Sequence, residues 1–200
     1  DDFVATLIGN LRTRLGSGQA DFTKFYQELN KSLKTLRDMD KTEYTEHVAQ
    51  LRYAMVRDGL TDQHVIQSFA LVYYTILRKL KMRPYKVKVM AGWVMMRGKL
   101  AEMETGEGKT LTATLPACTA ALAGIPVHIV TVNDFLVTRD AKWMSPVYQA
   151  LGLTVGTITE NLSPEQRRAA YDCDVTYCTN KQLVFDYLKD RLLLEQVDRR

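Results

Sequence analysis

Residues 102–110 read EMETGEGKT, and this nonamer constrains the fold more than any other stretch of the 200-residue chain. Two glycines ahead of Lys-Thr make a loop whose backbone N–H groups can converge on a phosphate, because glycine carries no obstructing Cβ and accepts positive φ. Such a loop works where a strand ends and a helix begins, since the helix N-terminus adds donors and a partial positive charge. The flanks meet that condition: Leu100 to Met103 is predicted as a short strand, and a helix is predicted from about Lys109 to Ala123. Met103 stands where the usual pattern has Gly or Ala; it ends the strand and need not face the phosphates. Lys109 then reaches the β- and γ-phosphates as a point charge, and the Thr110 hydroxyl takes one coordination position on Mg²⁺.

The rest of the chain divides at Arg83-Pro84. Before it, apolar residues recur at helical spacing: Phe22, Phe25, Tyr26, Leu29, Leu33 and Leu36 form one stripe. A second helix is predicted from Lys41 to Arg57 with Gly59 as its stop, and a third after a Thr61 or Asp62 cap. An amphipathic opening segment containing Phe3, Val4, Leu7, Ile8, Leu11 and Leu15 is separated from the first stripe by a flexible break at Gly16-Ser17-Gly18, and could dock on a membrane, on its own domain or on a partner. After Pro84, short β-branched runs alternate with helical stretches, the pattern of βαβ units on a parallel sheet. Strands are expected near Val127 to Val132, Leu153 to Thr159 and Val175 to Thr179, and a helix should start at Ser163-Pro164-Glu165-Gln166. The fold class is therefore α/β: a helical N-terminal region over 1–80, then over 81–200 a parallel sheet built around the phosphate loop. Hydrophobic residues make up 46% of the chain, enough for such a core.

Beyond the nonamer, four segments resemble one family, the SecA-type preprotein translocase ATPases. They are RPYKVKVMAGWVMMRGKLAEMETGEGKTLTATLPA, HIVTVNDFLVTRDAKWM, LGLTVGTIT and RRAAYDCDVTYCTNKQLVFDYLKDR, and the similarity as a whole covers about residues 51–191. Residues 1–50 share only helical character with the family. The resemblance implies a RecA-like P-loop NTPase fold, with ATP phosphates held at Thr105, Gly106, Glu107, Gly108, Lys109 and Thr110, Mg²⁺ at Thr110, and Met82 and Tyr85 near the adenine. The family's adenine-reading glutamine falls at Lys88, which offers only donors where Gln offers a donor and an acceptor, so relaxed adenine selectivity is expected. Cys178, Lys181, Gln182 and Val184 stand where the family has Gly, Asn, Glu and Gly, whereas Thr179, Asn180, Phe185, Asp186, Tyr187, Leu188 and Asp190 match; a divergent or accessory member is implied. Arg139 and Asp140 match the family's RD pair, and serve equally well as a structural charge pair on a helix.

The same resemblance implies that the family's acidic Mg²⁺-holding motif lies past Arg200, so the chain is expected to be the N-terminal part of a longer ATPase that binds nucleotide and does not turn it over alone. The whole motor would drive secretory preproteins through the SecY channel, peripheral on the cytoplasmic face of the membrane, with acidic phospholipid as a surface partner and a homodimer as one possible assembly. A superfamily 2 nucleic-acid helicase is the alternative; it calls for a PTREL-like segment where this chain has TVNDFL, so no nucleic acid is expected. A non-catalytic interaction module is the second alternative. A GTP switch fails at Leu183, which cannot accept guanine's hydrogen bonds in the N-K-x-D position.

The formal charge of +4 suits an anionic partner without selecting one. Cys118, Cys173 and Cys178 match no zinc or C-x-x-C spacing and read as ordinary thiols. His47 is expected on solvated surface, His128 in a buried strand, and the Arg167-Arg168 pair exposed. Trp93, Met95 and Met96 are expected as core filling.

Overall fold

A computed structural model describes the backbone of residues 2–197 and the side chains of 18–192. Helix α1 spans Asp2–Asp38, α2 Lys41–Asp58, α3 Asp62–Leu80 and α4 Lys86–Met96. The caps follow from local chemistry. Asp40 accepts the amides of Thr42 and Glu43, while the Glu43 carboxylate accepts the Asp40 amide; Gly59 at φ 78° stops α2; the Thr61 hydroxyl accepts the His64 amide at the start of α3. The expected break at Gly16-Ser17-Gly18 is absent from the backbone: α1 runs through it. Two glycines cost a helix about 2 kcal/mol together, which the strong formers on either side offset. The side chains of the opening amphipathic segment lie outside the described residues.

Helix α3 is buried nearly all round, as an apolar surface on every side requires, and α1, α2, α5 and α6 pack against it. Phe25 of α1 meets Phe69 of α3 edge-on at 5.4 Å, and Trp93 of α4 closes the cluster 5.5 Å from Phe22, so its role as core filling holds. Helix α5 (Lys109–Leu122) lies against α4 at Gly92, where a Cβ would come within 3.3 Å of both Leu115 Cβ and Phe69 Cε1. That glycine sets how closely α4, the helix carrying Lys88, approaches the helix carrying Lys109.

The sheet consists of β1 (Val127–Thr131), β2 (Val155–Thr157) and β3 (Val175–Thr179), all parallel, in the order β1-β3-β2. Val175 of β3 is level with Val127 on one side and Val155 on the other. The connections are α6 (Asp134–Ala150) and α7 (Pro164–Tyr171), the latter opened by the Ser163/Gln166 capping box; α8 (Asn180–Val197) follows β3. Alternate residues of β3 serve two cores. Val175 and Tyr177 join the main cluster with α5 and α6, where the Tyr177 and Tyr148 hydroxyls bond at 3.0 Å, and Cys178 joins Ile158 and Ala170 on the α7 side.

Several expectations change here. Residues 100–103 form no strand, and Leu100 is 93% exposed; an extended segment becomes a strand only by pairing, and nothing among the described residues pairs with this one. His128 is exposed: α7 lies mainly over β2 and β3 and reaches His128 only with the Tyr171 ring at its end, edge-on at 5.6 Å. His47 is half-buried, and burial lowers its pKa from the ordinary 6.5. Arg167 is not a surface residue: its guanidinium pairs with Asp186 at 2.9 Å and donates to the Thr159 carbonyl, its side chain 14% exposed. Arg168 remains exposed as expected. All three cysteines are free, and burial raises the thiol pKa of Cys118 and Cys178.

Candidate functional site: a glycine loop on a helix N-terminus

The loop before α5 turns where Gly106 and Gly108 adopt φ of 88° and 79°, and the Glu107 amide donates to the Glu104 carbonyl across the turn at 3.4 Å. Only glycine takes such angles without steric cost. Gly108 is the N-cap of α5, and its carbonyl accepts both the Thr112 amide at 3.1 Å and the Thr112 hydroxyl at 3.2 Å. The amides of Lys109, Thr110 and Leu111 then have no acceptor among the described residues, which is the condition of a first helical turn and makes it receptive to an anion.

Thr105, Gly106, Glu107 and Lys109 are exposed on the loop, Gly108 and Thr110 half-buried. The Thr110 hydroxyl donates to Asp140 Oδ2 at 3.1 Å, and Asp140 Oδ1 takes Arg139 Nε at 2.8 Å and the guanidinium's outer nitrogen at 2.7 Å. Asp140 itself is only 6% exposed. The RD pair therefore reaches from α6 to the threonine of the glycine loop. Spacing could not place it there: the contact joins residues on two helices separated by β1.

Among the residues expected near a base, Tyr85 caps α4 and is 67% exposed, its ring free for stacking, while Met82 packs half-buried against the main core. Lys88 lies one turn along α4 with its ammonium 5.5 Å from the Tyr85 ring centre and close over Gly108. The loop thus brings Lys88, Lys109, Thr110 and Asp140 to one end of α5. The cradle is an open surface; a groove of about 350 Å³ lined by Met39, Tyr44, Tyr74, Arg78 and Ala150 lies on the helical layer instead.

Comparison with known proteins decides the family. The model of the SecA DEAD-like domain matches residues 9–199. The chain belongs to the SecA DEAD-like domain family. It is 52% identical over 157 residues to protein translocase subunit SecA 2 of Nitrosospira multiformis, covering 78% of this chain and 24% of that protein. It is 53% identical over 149 residues to subunit SecA 3 of Magnetococcus marinus, covering 74% and 23%, and 40% identical over 190 residues to subunit SecA of Synechococcus sp., covering 93% and 20%. The chain thus spans about a quarter or less of the length of these relatives. The match to the SecA DEAD-like domain starts well before residue 51, so the first helix belongs to the likeness although its motifs alone did not reveal it. The small parallel sheet accords with an incomplete RecA-like domain. No described helix is long and apolar enough to cross a membrane.

Proposed function

We propose that this chain is the nucleotide-binding portion of a protein-translocating ATPase, with residues 81–200 contributing the phosphate loop of a RecA-like domain and 1–80 a helical region packed upon it. The observation that carries this reading is the loop itself: two positive-φ glycines aim a first turn of unpartnered amides outward beside Lys109, and Thr110 stands behind it with its proton committed to Asp140. That proton placement leaves the hydroxyl lone pairs available, so the residues present fit Mg²⁺ at Thr110. When bound, ATP with Mg²⁺ supplies the phosphoryl group and the cation that neutralises its charge. The chain's own groups hold the phosphates at Thr105, Gly106, Glu107, Gly108, Lys109 and Thr110, the free amides of the first turn among them, orient them with the Lys109 ammonium, and receive the base near Tyr85 and Met82.

Translocation follows from the relatives, which are named protein translocase subunits. In the whole protein, nucleotide turnover would drive secretory preproteins through the SecY channel, with the motor peripheral to the cytoplasmic face of the membrane and touching acidic phospholipid. The test is Lys109→Ala in the full-length protein. Loss of the cation facing the β- and γ-phosphates should abolish ATP turnover and weaken ADP binding at least tenfold. Wild-type turnover in that variant refutes the assignment.

A further inference from the structure

We propose that Lys88 acts on the phosphates of the bound nucleotide as a second cation beside Lys109, and does not read the base. The inference rests on the reading of the glycine loop as a nucleotide site.

The geometry starts at Gly108. A Cβ built there would lie 2.8 Å from Lys88 Nζ and 3.2 Å from Lys88 Cε. The end of this side chain therefore rests on the last residue of the glycine loop, at the N-cap of α5, where the amides of Lys109, Thr110 and Leu111 are unpartnered. The Lys88 side chain bridges the 20 positions that separate it from Gly108 in sequence and places its ammonium on the cradle's rim, 5.5 Å from the centre of the exposed Tyr85 ring. Lys88 is half-buried, so its position is restricted by its surroundings.

Charge supplies the second argument. Glu102, Glu104 and Glu107 are all exposed on or beside the loop, against the single cation Lys109 within it. A polyphosphate approaching that loop would meet three carboxylates and one ammonium. Neither Lys88 nor Lys109 forms an ion pair among the described residues, so both charges are uncommitted. Lys88 carries three donors and no acceptor, which suits phosphate oxygens and does not suit the mixed donor–acceptor edge of adenine. The consequence is a site whose affinity depends on phosphate charge and whose discrimination between bases is weak.

The test is titration calorimetry of the full-length protein with Mg-ADP, Mg-GDP and inorganic pyrophosphate, comparing wild type with Lys88→Met, Lys88→Arg and Lys109→Ala. Methionine keeps an unbranched apolar stem of similar length and removes the charge. Lys88→Met is expected to weaken all three ligands by about the same factor, roughly tenfold for one charge-assisted contact, and Lys88→Arg to restore them. Unchanged pyrophosphate affinity with a shifted ADP-to-GDP ratio overturns the inference and makes Lys88 a base reader. Loss in Lys109→Ala with none in Lys88→Met overturns the inference alone, and the phosphate-loop reading stands. Absence of binding to the wild-type protein overturns both.

Discussion

Replacing Asp140 by asparagine changes no volume and tests which way the Thr110 hydroxyl points. The carboxylate now accepts from three donors, Thr110 at 3.1 Å and two nitrogens of Arg139 at 2.8 and 2.7 Å. An amide has one acceptor oxygen and one donor group. In Asp140→Asn the oxygen turns to the guanidinium, because an NH₂ there would face a cation, and the NH₂ then faces Thr110. The hydroxyl must accept where it had donated, so its proton turns to one of the two positions its lone pairs held and competes there with Mg²⁺. The Arg139 side chain is 49% exposed, so its lost charge partner costs no more than about 1 kcal/mol. Exchanging the Thr110 bond to a carboxylate for one to an amide costs about another 1 kcal/mol. Stability should therefore fall by about 2 kcal/mol, whereas the gain in ADP affinity that Mg²⁺ confers should fall about tenfold, the loss of one ligand oriented at 1.4 kcal/mol. Calorimetry with ADP in Mg²⁺ and in EDTA separates the two effects. In a Thr110→Ala background the Mg²⁺-specific part of the Asp140→Asn effect should vanish, since the coupling requires both partners. Equal losses with and without Mg²⁺ would refute the reasoning and reduce Asp140 to a structural carboxylate.

Two other expectations follow from packing and burial. A Cβ at Gly156 of β2 would collide with the Ala170 carbonyl oxygen and lie 2.8 Å from Ala170 Cα, so α7 must withdraw and take with it the Thr176 hydroxyl's 2.8 Å bond to that carbonyl. Gly156→Ala should cost about 2–4 kcal/mol and accelerate hydrogen exchange in β2 and α7; a loss under about 0.5 kcal/mol, the range of an ordinary surface change, contradicts the close approach. Burial holds His47 below its ordinary pKa of 6.5, so the unfolded chain takes up that proton first. Its contribution is intact above pH 6.5 and is lost as pH falls through the lower folded value, and His47→Gln should flatten that part of the pH–stability curve.

The parts of the fold legible in sequence are those closed by local bonds. Thr61, Ser163 and Gly59 mark helix ends because their partners lie within four residues. The glycine loop was equally legible, since positive φ and a helix start are local conditions. Pairing and coverage were not. Residues 100–103 have strand composition without a strand neighbour among the described residues, and His128 has a strand position that α7 touches only with the Tyr171 ring at its end. Arg167 looked like half of an exposed basic pair because Asp186, its partner, comes 19 residues later on α8. The Asp140–Thr110 bond was hidden for the same reason, being a contact between helices that spacing within either helix cannot express. Lys88 was recognisable as unusual from its type, but only the distance to Gly108 says where its charge is delivered.

The strand order has a consequence for how such a chain is made. Among the described residues β1 and β2 do not pair with each other; each pairs with β3, which is the last of the three to be synthesised. At roughly 5–20 residues per second, the stretch from Val127 to Thr179 takes a ribosome about 3–10 s. Throughout that interval the first two strands lack the partner they have among the described residues, and the helices α1 to α5 can assemble while they wait. These three strands then join through β3 in one late event, and a pause or truncation between Thr157 and Val175 would leave a nascent chain with a finished phosphate loop and neither β1 nor β2 joined to β3.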